Sequence, residues 1–208
     1  MMIGLVIKDI LNLKNSFRTS LLILALFSFM AYQSQDPTYL MGMFVLIMSI
    51  QSISSISYDE LAKWDVYALT MPISRVKLVI SKYILSIMLS IIALIISGAI
   101  SYFVILPTSN MNTIEFLLSS YLVFASSILL LSVLLPLIYR YGVEKSRLLI
   151  FIVISIPVLI GIFFSKIGID LPDENQLRTI FKVSPFIIIA LLFISSFISC
   201  RIYKNKDM

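Results

Sequence analysis

Long apolar stretches alternate with short charged ones along this chain. Six runs contain no Asp, Glu, Lys or Arg: 19–35, 37–58, 83–114, 116–139, 148–165 and 183–200. A helix crossing the hydrocarbon core of a bilayer needs roughly 17–25 mostly apolar residues. The pattern therefore predicts six membrane-spanning helices. The first run is the shortest, with an apolar core over 21–32 only, so that span borrows Phe17 or thins the bilayer locally. Ahead of it, Ile3, Val6, Ile7, Ile10, Leu13 and Phe17 recur at helical spacing, with Lys8, Asn12 and Asn15 opposite them. That spacing predicts an amphipathic helix lying in the membrane interface over 1–18. Lys14 falls on the apolar stripe, where it snorkels or marks the helix end. The chain divides into this helix and a six-helix membrane domain over 19–208, with a polar loop at 58–82 between the second and third spans.

Prolines and polar residues punctuate the spans. Pro37 suits the first turn of the second span. Pro136 and Pro157 fall inside the fourth and fifth, where each removes a backbone hydrogen bond and sets either a hinge or a fixed bend. The loop near 106–115 holds Pro107 and two asparagines, and the loop at 166–182 holds Leu171, Pro172, Asp173 and Glu174, which suit the start of a short helix.

Composition removes the soluble classes. The chain of 208 residues is 60% hydrophobic and only 13% charged, which makes it an all-α integral membrane protein. Placing the N terminus inside puts thirteen of the sixteen Lys and Arg residues on the cytoplasmic side and leaves Lys166, Arg178 and Lys182 outside. Both termini are then cytoplasmic in a multi-pass plasma-membrane protein, and the basic excess reflects topology rather than nucleic-acid binding. No cleavable signal is expected, because the first apolar run follows a charged segment and ends without small residues.

Several chemistries lack their residues. There is no His and a single Cys, Cys200, so imidazole catalysis, His-ligated metal sites and an intrachain disulfide are absent. The six glycines do not form a phosphate-binding loop, so the chain is expected to be no enzyme and to carry no cofactor of its own. No ionisable residue is expected deep in a span, which argues against proton coupling. Serines are frequent in the second, fourth and sixth spans, where small hydroxylated residues let helices approach. Gln51, with Ser54 and Ser55, is the candidate for a substrate path or a dimer face.

The segment 58–83 carries seven charges and the only tryptophan. Read as one helix from Tyr58 to Leu69, it sets Asp59, Glu60 and Lys63 against Leu61, Trp64 and Ala68, with Asp65 among the apolar residues. Pro72 then bends the chain into a second helix carrying Arg75, Lys77 and Lys82 toward the third span. Two readings are open: a membrane-anchoring loop, or a docking element that takes force from a soluble partner.

The residues Asp59-Glu60, Trp64, Tyr67-Ala68-Leu69, Met71-Pro72-Ile73-Ser74-Arg75 and Ser81-Lys82-Tyr83 resemble the first cytoplasmic loop of ABC-2 type permeases, the membrane subunits of ATP-driven exporters. Met71 stands where the family pattern has Leu. The overall plan is similar too, most of all to permeases that export phenol-soluble modulins, which are amphipathic peptides. The resemblance implies an exporter fold in which Asp59, Glu60, Trp64, Asp65, Pro72, Arg75 and Lys77 couple to a separate ATPase subunit that binds ATP and Mg. It also implies a second permease copy, identical or paralogous, lipid surroundings and an amphipathic peptide cargo. Two other readings remain at this stage: a six-helix substrate-capturing subunit of a vitamin importer, and a non-transporting immunity or sensor protein. The first would need a small-residue stripe in the first span, where Ala25 is the only small residue between Leu21 and Ser28.

Overall fold

A computed structural model describes residues 2–71, 73–109, 111–167 and 174–205. Among these the chain is helical almost throughout: α1 (Met2–Asn12), α2 (Lys14–Ser34), α3 (Pro37–Leu61), α4 (Trp64–Thr70), α5 (Arg75–Ile100), α6 (Thr113–Tyr141), α7 (Val143–Ile167) and α8 (Glu174–Lys204). Among the described residues, four helical stretches are long and apolar enough to cross a membrane: Pro37–Leu61, Arg75–Thr108, Thr113–Tyr141 and Phe181–Lys204. The helices α2 and α7, expected as the first and fifth spans, are 21 and 25 residues long.

Helix ends follow local chemistry. Asp36 caps α3 by accepting the Thr38 N–H at 2.9 Å, with Pro37 in the first turn. Asn112 and Glu115 form a capping box on α6. The end of α5 widens into one π turn, Ser101–Ile105, and tightens into a 3-10 turn, Leu106–Thr108. Ser101 is fully buried there and donates to the Pro37 carbonyl at 3.2 Å, tying α5 to the start of α3.

The core is formed by α3, α5 and α6; α2 packs on α3, α7 on α6, and α8 on α6 and α5. Hydroxyls sit in these contacts. Ser49 on α3 and Ser90 on α5 meet at 2.9 Å, both fully buried, so the two backbones come close. Ser195 on α8 donates to the Ser132 carbonyl of α6 at 2.6 Å, which uses its only proton. Tyr83 on α5 must therefore donate to Ser195, at 2.7 Å, and accept from Ser199, at 2.8 Å. One tyrosine thus joins α5 to α8.

Three expectations change. The interfacial helix stops at Asn12, Leu13 is fully buried at a bend, and Lys14 opens α2. The face of α1 that packs is Leu5, Val6 and Asp9, while Ile3 and Ile7 of the expected apolar stripe are exposed. The last helix begins at Glu174, so Arg178 and Lys182 belong to α8 rather than to a loop. The helices α6 and α7 run through Pro136 and Pro157. The expected bend at Pro72 and the segment Leu171 to Asp173 lie outside the described residues.

Candidate functional site

One end of the bundle gathers α1, α4, the ends of α3 and α8, and the α6–α7 turn. Here α3 stops at Leu61 because Lys63 takes a left-handed conformation, φ 49°, which costs a residue with a Cβ on the order of 1–2 kcal/mol. The chain reverses and α4 starts, with Asp65 in its first turn, where a negative charge suits the helix dipole. The single helix expected over 58–69 is therefore two. Asp59 and Glu60 end one, and Trp64 and Asp65 begin the other.

The short helix α4 lies with one side on the bundle. Ala68 is fully buried and Trp64 half-buried in a cluster with Leu5, Leu78, Val79, Tyr83, Leu135, Tyr139 and Tyr203, drawn from α1, α5, α6 and α8. Its other side is bare: Val66 and Tyr67 are more than half exposed, and Leu61 just before it is 77% exposed. Asp65 lines a cavity of about 40 Å³ together with Asp9, Asp59, Lys82 and Tyr203.

Behind α4 lie four charges. Lys82 is buried and uses all three ammonium protons, to Asp9 Oδ1 at 2.7 Å, Asp59 Oδ2 at 2.5 Å and Ser55 Oγ at 2.9 Å. Lys8 bonds both oxygens of Asp59, at 2.7 and 2.9 Å, and stands 3.0 Å from Asp9 Oδ1. Its ammonium sits 4.4 Å above the Trp64 ring, a cation–π contact that holds α4 to α1. Two positive and two negative groups make the cluster neutral, and it joins α1, α3, α4 and α5. Asp59 and Lys82 stand near the ends of α3 and α5 rather than deep in a span, yet with Asp9 they are buried among the helices at this end of the bundle. A buried ion costs several kcal/mol unless it is paired and hydrogen-bonded; Asp59 and Lys82 are, and Asp9 is paired through Oδ1 while its Oδ2 is buried without a hydrogen bond.

Lys8 and Asp9 are not among the residues the sequence pointed to, and Lys82 is there only as a basic position leading into the third span. One signal for them exists: Asp9 falls four residues from both Leu5 and Leu13, so an acid occupies the packed face of α1.

Several of the remaining expected residues, Glu60, Arg75 and Gln51 among them, have structural partners. Glu60 is exposed, yet its Oε2 accepts the Val143 N–H at 3.1 Å and so caps α7. The preceding Gly142 has φ 79° and ψ 168°, a region essentially restricted to glycine, and a Cβ there would stand 3.1 Å from Glu60 Oε1. Arg75 donates to the carbonyls of Lys204 at 2.7 Å and Tyr203 at 3.4 Å, satisfying the C-terminus of α8. Lys77 is exposed on α5. Gln51 donates to the Ser20 hydroxyl and, at 3.2 Å, to the Ser16 carbonyl, so it faces α2. Ser55 belongs to the charge cluster, and Ser54 is half-buried.

The short helix α4 thus shows a bare outer face and sits on an ionic cluster that joins α3 and α5. The family model described as "ABC-2 family transporter protein" matches residues 4–204. Neither the curated proteins nor the solved structures give a match.

Proposed function

The chain belongs to the ABC-2 family of transporter proteins, and from that premise we propose that it is the permease subunit of an ATP-driven exporter whose ATPase docks on the outer face of α4. Membership makes the chain a multi-pass membrane subunit and implies an ABC ATPase partner. The observation that carries the docking reading is the asymmetry of α4. One side is fixed to α1, α5, α6 and α8 through Trp64 and Ala68, while Leu61, Val66 and Tyr67 are bare on the other. Aromatic and apolar groups of this kind, rimmed by a charge such as Lys63, are typical anchors at protein interfaces.

In this reading Asp59, Glu60, Trp64, Asp65 and Arg75 hold α4 and its neighbours rather than touch the ATPase. A push on α4 reaches α3 through Asp59 and α5 through Lys82. It reaches α7 through the Glu60 bond to Val143. ATP and Mg belong to the partner, and this chain supplies position and stiffness.

The orientation, cargo and assembly extend the proposal. The docking end is cytoplasmic, as the distribution of Lys and Arg favours, and α2 and α7 complete six spans in the plasma membrane. The close seam of α3 and α5 at Ser49 and Ser90 leaves little room for a path within one copy. Two copies, identical or paralogous, therefore frame the path between them. The cargo class is an amphipathic peptide such as a phenol-soluble modulin, moved outward.

The test is reconstitution with the ATPase in proteoliposomes and a fluorescently labelled amphipathic peptide. ATP should drive the peptide across from the ATPase side, and single-molecule photobleaching should count two permeases per active complex. Peptide movement indifferent to ATP, or activity from single copies, would contradict the respective parts.

A further inference from the structure

A groove runs down the outside of the bundle between α5 and α8. It has a volume of about 820 Å³ and is lined by Val76, Ile80, Phe193, Ile194, Phe197 and Cys200, among others. Ile80, Phe193 and Ser196 are shared with a second hollow of about 260 Å³, which continues the groove to Ile87, Ile189 and Leu192. At its other end stand Arg201 and Lys204, both exposed, and among the described residues no acidic side chain lines either hollow. Being three apart on one helix, the two cations share a face.

We propose that this groove binds one anionic phospholipid, its phosphate held by Arg201 and Lys204 and an acyl chain laid between α5 and α8. On the orientation proposed above, the lipid belongs to the cytoplasmic leaflet. Dimensions agree: Ile189 to Lys204 spans about 22 Å of helix, and one leaflet with its headgroup region is roughly 20–22 Å deep. The chemistry divides as a phospholipid does, with wall atoms apolar along the length and positive charge confined to the mouth. Arginine and lysine at the membrane surface attract anionic headgroups, and basic pockets between spans on that side hold them.

A second copy of the chain fits less well. A two-fold contact is self-complementary, so one centred on this groove would set Arg201 and Lys204 near the same pair of the partner. A cationic peptide would meet the same repulsion. The bound lipid would fill the seam beside Tyr83, the residue that joins α5 to α8, and so would stiffen that contact.

Native mass spectrometry of the purified full chain, titrated with phosphatidylglycerol or phosphatidylcholine of identical chains, tests this. No ATPase or cargo is present, so the result is independent of the transport reading. The wild type should retain one phosphatidylglycerol in clear preference to phosphatidylcholine. With each cation contributing about 1 kcal/mol, the Arg201→Gln/Lys204→Gln variant should bind phosphatidylglycerol roughly 30-fold more weakly. Arg18→Gln on α2 should change nothing. Ser196→Trp fills the groove with the charges intact and should lose the lipid as well. Equal retention of both lipids, or undiminished phosphatidylglycerol on either groove variant, would overturn the site. So would efficient disulfide formation between Phe197→Cys copies in phosphatidylglycerol bilayers, because the face would then belong to a second permease.

Discussion

Lys82 carries the most consequence of any single side chain. Its three bonds tie α5 to α1 and α3, and removing it leaves Asp9 and Asp59 with Lys8 as their only cation. Breaking a buried pair by deleting one partner costs about 3–5 kcal/mol. Lys82→Met should therefore lower thermal stability strongly in detergent. Asp59→Asn combined with Lys82→Met restores neutrality around Lys8 and Asp9, so the double variant should lose less than the two single losses added. A double-mutant cycle that is simply additive would show that the two residues do not interact. Gly142 makes a second test at this scale. Alanine there is strained by backbone conformation and crowds Glu60, so Gly142→Ala should cost about 1–3 kcal/mol, visible as a lower unfolding midpoint.

At the scale of elements, the α3–α5 seam depends on small hydroxylated residues. Ser90→Leu adds volume where Ser49 stands 2.9 Å away and should destabilise by about 1–3 kcal/mol, whereas Ser196→Leu, on the outer face of α8, should be close to neutral. Thermal unfolding of both variants checks the contrast. The seam also shows what the sequence could tell. Charge-free runs located the helices, Pro37 located the start of α3, and frequent serines marked close packing, because each of these is a local signal. The break at Lys63 was not legible, since a left-handed lysine carries no composition mark. Nor was the charge cluster: its four members come from positions 8, 9, 59 and 82, and only tertiary packing brings them together. The apolar stripe read along α1 divides in the fold, with Val6 and Leu13 buried against the bundle and Ile3 and Ile7 left exposed, a division that helical spacing does not specify.

For the whole molecule, the account is mechanical. An ABC-2 permease does no ATP chemistry of its own in this reading; it must accept displacement at one end and change the relation of its spans. The short helix α4 is suited to that because its inner side is fixed to four other helices and its outer side is bare. The ionic cluster beneath it links α1, α3 and α5 through buried charge-assisted hydrogen bonds, which are about twice as strong as neutral ones. The most direct measurement is quantitative copurification of the tagged chain with its ATPase from native membranes, the ATPase being identified by its phosphate-binding loop. The wild type should bring it down stoichiometrically. Val66→Asp/Tyr67→Asp, placed on the bare face, should lose it at least tenfold while keeping the wild-type unfolding midpoint. Undiminished ATPase on that folded variant would contradict docking at α4.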